Sequence, residues 1–291
     1  MKEFPIPVVA IGPGSQVVEE PLDFMPFPGR MDTFVAPPHP EVADPAVVRA
    51  ARAALEEALA RARGFDFDGD ALLELDFGLL PAAVLRYVNE ALGAGEVAAI
   101  VRPAPESARR LGAAEIRIQE TAFPAFWRVL HLRGDGGIVR DLLEIGEMPH
   151  LVAEAALAAS RSGVAPRPRA AGVMNAPPIL AEVAAASARY AAGGAGHIVN
   201  FTLLPVSPED MQCLVESLGV GPATILSRGY GACRITSTLL RHAWWVQYFN
   251  SMNHLILNTL EVARVPEVAL AARDDFEASL ARLAEWVETL E

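Results

Sequence analysis

The sequence is short of lysine, cysteine and long apolar runs, and each shortage excludes a class of protein. Lys2 is the single lysine, and its place at a terminus disfavours a lysine Schiff base and the pyridoxal phosphate chemistry that needs one. The two cysteines, Cys213 and Cys233, are too few for a disulfide framework or a four-thiolate metal site within one chain. No run approaches the ~20 apolar residues that span a bilayer, and the first residues lack the cationic start of a secretory signal. We therefore expect a cytoplasmic protein without membrane insertion.

Acidic charge and apolar bulk are what the chain has instead. Its 291 residues carry 36 acidic against 24 basic side chains, which gives a net charge of −12, and 52% of them are hydrophobic. The acidic balance argues against a nucleic-acid partner, because phosphate binding requires a clustered cationic surface. It favours a partner with a basic segment. The apolar content suffices for one large or two smaller packed domains.

The chain divides into three predicted segments. Residues 1–43 are rich in proline and lack a sustained period, and their scattered aromatic residues predict an extended arm laid over a folded body. Residues 44–165 and 166–291 follow as two α+β repeats. In each of them we predict antiparallel sheet backed by helices.

Helix signals stand at three places in these segments. A helix is predicted from its N-cap Asp44 to Gly64, because apolar residues recur there at helical spacing. A second is predicted between the cap Ser207 and Gly219. The stretch from Asp274 to Leu290 has an apolar stripe, and we expect this closing helix to pack on its own sheet, with a partner-binding helix as the alternative.

An internal repeat relates the two units. The matched segments are LDFGLLP at 75–81 with VNFTLLP at 199–205, and LGAG at 92–95 with LGVG at 218–221. Eight further identities at a constant offset of 117 run from Arg117 and Arg234 to Pro149 and Pro266. Their colinear order indicates a duplication. Each unit is predicted to run strand, helix, four strands, helix.

The two units differ most in one loop, where the first has RPAPESARRLGAA and the second has the shorter SRGYGA. Duplicated units commonly diverge where one copy acquires a task, so the shorter loop is the candidate site. Its glycines permit positive φ or a close backbone approach, and its arginines offer bidentate pairing. The candidate partner-binding residues are Arg228, Gly229, Tyr230, Gly231, Arg234 and Trp245. A tight turn between two strands is the alternative interpretation.

Trp245 is included because Trp244 and Trp245 point to opposite faces of one strand. At least one of them belongs to the core, and the other is a candidate surface anchor.

Catalytic chemistry has little support in the residues. Cys233 stands at no defined ligand spacing from His242 or His254, so a structural cysteine is favoured, with a metal-ligating role as the weaker alternative. Glu144 and Glu261 are equivalent in the repeat, which makes a structural role simpler than a catalytic dyad. We predict no enzyme, because no base, nucleophile and orienting group fall in a recognisable constellation.

Several long motifs resemble one known family. The motifs are SRGYGACRITST, WWVQYFNS, LILNTLEVARVPEVAL, HIVNFTLLPVSPED and GVMNAPPIL. In them the chain is similar to the HupH/HyaF/HoxQ family of NiFe-hydrogenase expression/formation proteins, with residues 166–291 as the HupH-type C-terminal domain. The resemblance is strongest over residues 172–272 and weakest over 40–75 and 103–115.

The resemblance implies a cytoplasmic, non-catalytic maturation factor. Such a protein is a chaperone or scaffold for the iron-sulfur small subunit of a NiFe uptake hydrogenase, and it binds the precursor before export or assembly. The implied partners are that precursor, with its basic twin-arginine signal, and a thioredoxin-like accessory protein. No resident cofactor is implied. The alternative function is an iron-sulfur or metal carrier that uses Cys233 during cluster assembly.

Overall fold

A computed structural model describes residues 44–69, 71–164, 171–191, 193–228 and 232–290. The predicted arm over residues 1–43 and the predicted boundary near residue 165 lie outside these residues. The helices are α1 Pro45–Arg63, α2 Ala82–Leu92, α3 Pro105–Leu111, α4 His150–Ala159, α5 Ala176–Ala191, α6 Pro208–Leu218 and α7 Arg273–Glu288. The strands are β1 Leu73–Asp76, β2 Val97–Val101, β3 Glu115–Glu120, β4 Phe126–Leu132, β5 Ile138–Ile145, β6 His197–Asn200, β7 Ala223–Ser227, β8 Ala232–Ser237, β9 Ala243–Phe249 and β10 Leu255–Val262.

The ten strands form one antiparallel sheet in the order β1-β5-β4-β3-β2-β7-β8-β9-β10-β6. The first five strands of this order come from the first unit and the last five from the second. The predicted α+β class and the predicted order of strands and helices in each unit are confirmed. The first unit adds α3 inside the loop where the two units diverge.

The seam between the units lies on an internal two-fold axis. Strand β2 pairs with β7, and Ala99 lies opposite Ile225. These residues are 126 positions apart, the same spacing that separates Gly93 from Gly219 in the repeated LGAG and LGVG segments. Because equivalent residues of the two units face one another, the axis passes through this pair.

Local geometry repeats across the axis as well. The indole Nε1 of Trp127 donates to the carbonyl oxygen of Gly146 at 2.9 Å, and that of Trp244 donates to Ala263 at 3.1 Å. A left-handed residue precedes β4 and β9 alike, Ala125 with φ 71° and His242 with φ 60°. The duplication predicted from the sequence is therefore present in the backbone and in the buried hydrogen bonds.

Helices cover the two faces of the sheet differently. Helix α4 and a 3-10 turn at Glu267–Ala269 cover the middle of one face. On the other face, α1, α2 and α7 cover the β1 end of the sheet, and α5 and α6 cover the β6 end. The sheet therefore has three cores. One lies at the middle of one face, and the other two lie at the two ends of the opposite face. None of the helices among the described residues is both long enough and apolar enough to cross a membrane.

The predicted starts of α1 and α6 are confirmed. Asp44 accepts a hydrogen bond from the amide of Ala46 at 2.8 Å. Ser207 and Asp210 form a reciprocal capping box. Both caps use side chains within three positions of the helix start, which is why the sequence alone identifies them.

The prediction for the closing helix is wrong in its placement. Helix α7 belongs to the second unit but buries Phe276, Leu283 and Val287 in the core of the first unit, against α1. Phe276 stacks on Phe67 with ring centroids 4.8 Å apart. The 3-10 turn after β10 directs the chain across the sheet, and Arg273 binds Asp68 at 2.9 Å where the helix begins.

Candidate functional site

In the part of the chain that the structure describes, helices cover one face of the middle of the sheet and leave the other face open. On the covered face Val101, Ile116, Ile225 and Ile235 have no exposed surface. Residues that alternate with them on the same strands point to the other side, and apart from Leu226, which is buried, they keep solvent contact. We call this open side of β3, β2, β7 and β8 the arginine face. Its residues are Ala98, Ile100, Arg102, Arg117, Gln119, Thr224, Leu226, Arg228 and Arg234.

The four arginines of this face form two equivalent pairs. Arg102 follows β2 and Arg228 follows β7, and their amides make matching hydrogen bonds, to the carbonyl oxygens of Pro222 at 2.9 Å and Glu96 at 3.2 Å. Arg117 in β3 and Arg234 in β8 are one of the identical pairs of the repeat. Sheet spacing separates the Cα atoms of Arg117 and Arg234 by about 16 Å.

In the first unit a carboxylate joins the two arginines. Glu115 accepts a hydrogen bond from Nε of Arg102 at 3.2 Å and another from Nε of Arg117 at 2.7 Å. The side chain of Glu115 is 21% exposed, whereas those of Arg102 and Arg117 are 61% and 63% exposed. The first unit thus satisfies its own pair of guanidinium groups with an internal acid.

The second unit lacks that acid. The residue 117 positions after Glu115 is Ala232, which pairs with Phe249 at the start of β8. Arg228 is exposed. The guanidinium carbon of Arg234 lies 5.5 Å from the centre of the Phe249 ring, and burial lowers the pKa of Arg234. At the position equivalent to Glu115, the second unit therefore has the methyl side chain of Ala232 in place of a carboxylate.

Of the residues predicted for this site, Arg228 and Arg234 lie on the arginine face as described. Gly229, Tyr230 and Gly231 lie outside the described residues, so their proposed role stays a prediction. Sequence reasoning missed Arg102, Arg117 and Glu115. The repeat offset that identified Arg117 with Arg234 would also have shown that Ala232 replaces Glu115.

Trp245 is a core residue, and its assignment as a surface anchor is wrong. Its side chain is 8% exposed and packs on Phe201 with ring centroids 5.3 Å apart. The reason is that α5 and α6 cover this end of the face to which Trp245 points, while Trp244 is buried on the other side. In the first unit the equivalent position holds Arg128, whose guanidinium lies 4.9 Å from the centre of the Phe77 ring.

Cys233 faces the central core and is 1% exposed. Burial raises the pKa of its thiol to about 12, even though the thiol shares a hydrogen bond with Tyr248. The group is therefore a neutral thiol at physiological pH, whereas metal ligation and nucleophilic attack both use the thiolate. Cys213 is half-buried on α6, with its Sγ 3.9 Å from the hydroxyl of Ser217. In the part of the chain described, no three His, Cys, Asp or Glu side chains are grouped to hold a metal.

Glu144 and its repeat equivalent Glu261 do not form a catalytic pair. Glu144 and Glu261 lie on β5 and β10, which are seven strand spacings or about 34 Å apart in the sheet. Burial, and then the nearby charge of Glu74, raise the pKa of Glu144 to about 8. Burial likewise raises the pKa of Glu120 to about 7, and this side chain accepts a hydrogen bond from the amide of Val97.

Comparison with known proteins gives the family. The family model of the HupH hydrogenase expression protein, C-terminal conserved region, matches residues 47–164 and again residues 173–290. The chain is 40% identical to the hydrogenase expression/formation protein HupH of Rhodobacter capsulatus, over 100% of this chain and 99% of the relative. It is 33% identical to the hydrogenase-1 operon protein HyaF of Escherichia coli, over 75% of this chain and 74% of the relative.

A solved structure is also similar in sequence. The hydrogenase expression protein HupH from Thiobacillus denitrificans is 28% identical and aligns over 40% of this chain and 97% of that one, with a TM-score of 0.38. The family model matches both units of the chain, and the relative from Rhodobacter capsulatus aligns with the chain over its full length. The chain belongs to the HupH family of hydrogenase expression/formation proteins.

Proposed function

We propose that the protein is a non-catalytic maturation chaperone or scaffold for the iron-sulfur small subunit of a NiFe uptake hydrogenase. A relative that aligns with the whole chain is named a hydrogenase expression/formation protein, which supports a role in making the enzyme. The observation that carries the chaperone role is the arginine face. It is an open, cation-bearing surface in the middle of the sheet, and such surfaces suit protein contact.

Binding explains this surface better than catalysis. Its cationic groups are guanidiniums, which hold their protons throughout the physiological range and serve as bidentate hydrogen-bond donors. The groups that titrate near neutrality, Glu120 and Glu144, lie instead on the covered side of the sheet and are almost fully buried. The surface can therefore hold and orient a partner.

The proposed partners are the small-subunit precursor and a thioredoxin-like accessory protein. The net charge of −12 supports long-range attraction of the basic twin-arginine signal of the precursor. The arginine face supplies the opposite charge locally, where other parts of the precursor would lie.

Co-purification tests the proposal. The affinity-tagged protein is isolated from a hydrogenase-expressing cell, and the small-subunit precursor is quantified by immunoblotting. We expect the wild type and the variant Arg49→Ala to recover the precursor, and Arg228→Ala to recover several-fold less. Arg49 is exposed on α1, away from the arginine face, so its variant matches the lost charge. Equal recovery with all three proteins would remove the arginine face from the proposal.

Anaerobic reconstitution with iron and sulfide distinguishes a carrier role for Cys233 from the chaperone role. The buried neutral thiol predicts no cluster absorbance in the wild type. Absorbance that is present in the wild type and lost in Cys233→Ser would replace the chaperone with the carrier.

A further inference from the structure

Residues 102–117 carry net positive charge in a chain that is otherwise acidic. They contain four arginines and two glutamates, which gives +2, whereas the whole chain has a net charge of −12. The segment runs from the end of β2 through α3 to β3. Helix α3 lies in the longer of the two divergent loops, and its last turn adds Arg109 and Arg110, which are both exposed. We call this surface of the first unit the basic patch.

Glu115 fixes the two arginines of the basic patch that belong to the arginine face. Val101 in β2 pairs with Ile116 in β3, so Arg102 at the end of β2 adjoins the start of β3. Nε of Arg102 and Nε of Arg117 donate to the two oxygens of Glu115, at 3.2 Å and 2.7 Å. One carboxylate is therefore shared by two guanidiniums, and one positive charge remains.

The hydrogen bonds with Glu115 use only one end of each guanidinium. A guanidinium has five N–H donors in a fixed plane, and the Nη1 and Nη2 groups together match the two oxygens of a carboxylate. The side chains of Arg102 and Arg117 are 61% and 63% exposed. Their Nη groups can therefore meet a second acid that approaches from solvent.

We propose that Arg102 and Arg117 bind the carboxylates of an acidic segment of a partner protein, each through its paired Nη groups. Glu115 is a positioning residue that holds the two guanidiniums side by side, and the arginines of α3 add positive charge. The inference rests on the proposed function in one respect only, which is that the hydrogenase precursor supplies the acidic segment. The site itself rests on the charge and geometry of the basic patch.

The size of the patch favours a short acidic segment over a nucleic acid. The field of the whole chain repels a long polyanion. Local charges dominate only within about one Debye length, ~8 Å at physiological salt, and a few carboxylates fit within that range. A basic segment would be repelled at this place, so the twin-arginine signal is not the segment that binds the basic patch.

The test uses the full chain and two fluorescent peptides. One peptide alternates glutamate with serine, the other has glutamine in place of each glutamate, and fluorescence anisotropy measures binding. We expect the wild type to bind the glutamate peptide, and Arg102→Ala and Arg117→Ala each to bind it about tenfold more weakly. Arg49→Ala removes an exposed arginine of α1 and should bind this peptide as the wild type does.

Two further variants distinguish paired hydrogen bonding from charge alone. Arg117→Lys keeps the charge but lacks the planar pair of donors, so we expect binding about fivefold weaker than in the wild type. Glu115→Gln keeps an oxygen acceptor and removes the negative charge beside the incoming carboxylate. We expect this variant to bind the glutamate peptide about twofold to threefold more tightly.

The inference is overturned by equal binding of the two peptides, by unchanged binding in Arg102→Ala and Arg117→Ala, or by wild-type affinity in Arg117→Lys. Capture of the precursor separates this inference from the proposed function. Lower capture by Arg117→Lys than by Arg49→Ala supports both. Equal capture by these variants, with the peptide results as expected, leaves the site and refutes the precursor as the source of the acid. Failure of the wild type to capture the precursor, with the same peptide results, refutes the proposed function alone.

Discussion

The buried ion pair of Arg128 and Asp141 offers a sharp test of the internal duplication. Arg128 donates from Nη2 to Oδ1 of Asp141, and the two residues are 8% and 4% exposed. Removal of one member of a buried pair leaves the other charge uncompensated, which typically costs about 3–5 kcal/mol. The guanidinium of Arg128 keeps its contact with the Phe77 ring, so we expect Asp141→Asn to lower the free energy of unfolding by about 3 kcal/mol, at the lower end of that range.

The second unit supplies the compensating change. The residues 117 positions after Arg128 and Asp141 are Trp245 and Asn258, and Trp245 packs on Phe201 as Arg128 packs on Phe77. The double variant Arg128→Trp, Asp141→Asn therefore rebuilds in the first unit an arrangement that the second unit already uses. Since it leaves no buried charge, we expect it to recover at least half of the stability lost in Asp141→Asn.

Urea unfolding followed by tryptophan fluorescence and by circular dichroism measures these free energies. Glu57→Gln is the matched control, because it breaks the exposed pair with Arg61 on α1, whose members are 58% and 52% exposed. Pairs of that kind contribute about 0–1 kcal/mol. A loss in Asp141→Asn no larger than in Glu57→Gln, or a double variant less stable than Asp141→Asn, would refute the reasoning.

Three further predictions use other parts of the sheet. The pKa of Glu144 is raised to about 8 in the folded protein, so the folded state keeps this proton to a higher pH than the unfolded state. The free energy of unfolding should therefore decrease as the pH rises from about 4.5 to about 8, and it should decrease less steeply in Glu144→Gln. A Cβ at Gly95 would overlap the carbonyl oxygen of Thr121, while one at Gly163 meets open space, so Gly95→Ala should destabilise by about 1–3 kcal/mol in urea unfolding and Gly163→Ala hardly at all. A thiol reagent should modify half-buried Cys213 of the native protein faster than buried Cys233. Equal rates of modification would contradict the placement of Cys233.

Elements whose signals are local could be predicted from the sequence. Helix α1 begins after Asp44, and α6 begins at a capping box of Ser207 and Asp210, because capping side chains and the amides they bind lie within one helical turn. The repeat needed only self-comparison, and it located Arg117 and Arg234 as equivalent residues. Of the candidate site, Arg228 and Arg234 were identified in this way.

What the sequence by itself determined is the order of the elements, their duplication and the family. Only the tertiary structure decided which side of each strand is covered. Period-two alternation tells that Trp244 and Trp245 face opposite ways, yet both are buried, because separate helices pack on the two faces at that end of the sheet. Packing between elements that are far apart in the chain also placed α7 on the first unit, and among the described residues it left the middle of one face open. Pairing of β2 with β7 likewise joins the two units through strands that are far apart in the chain.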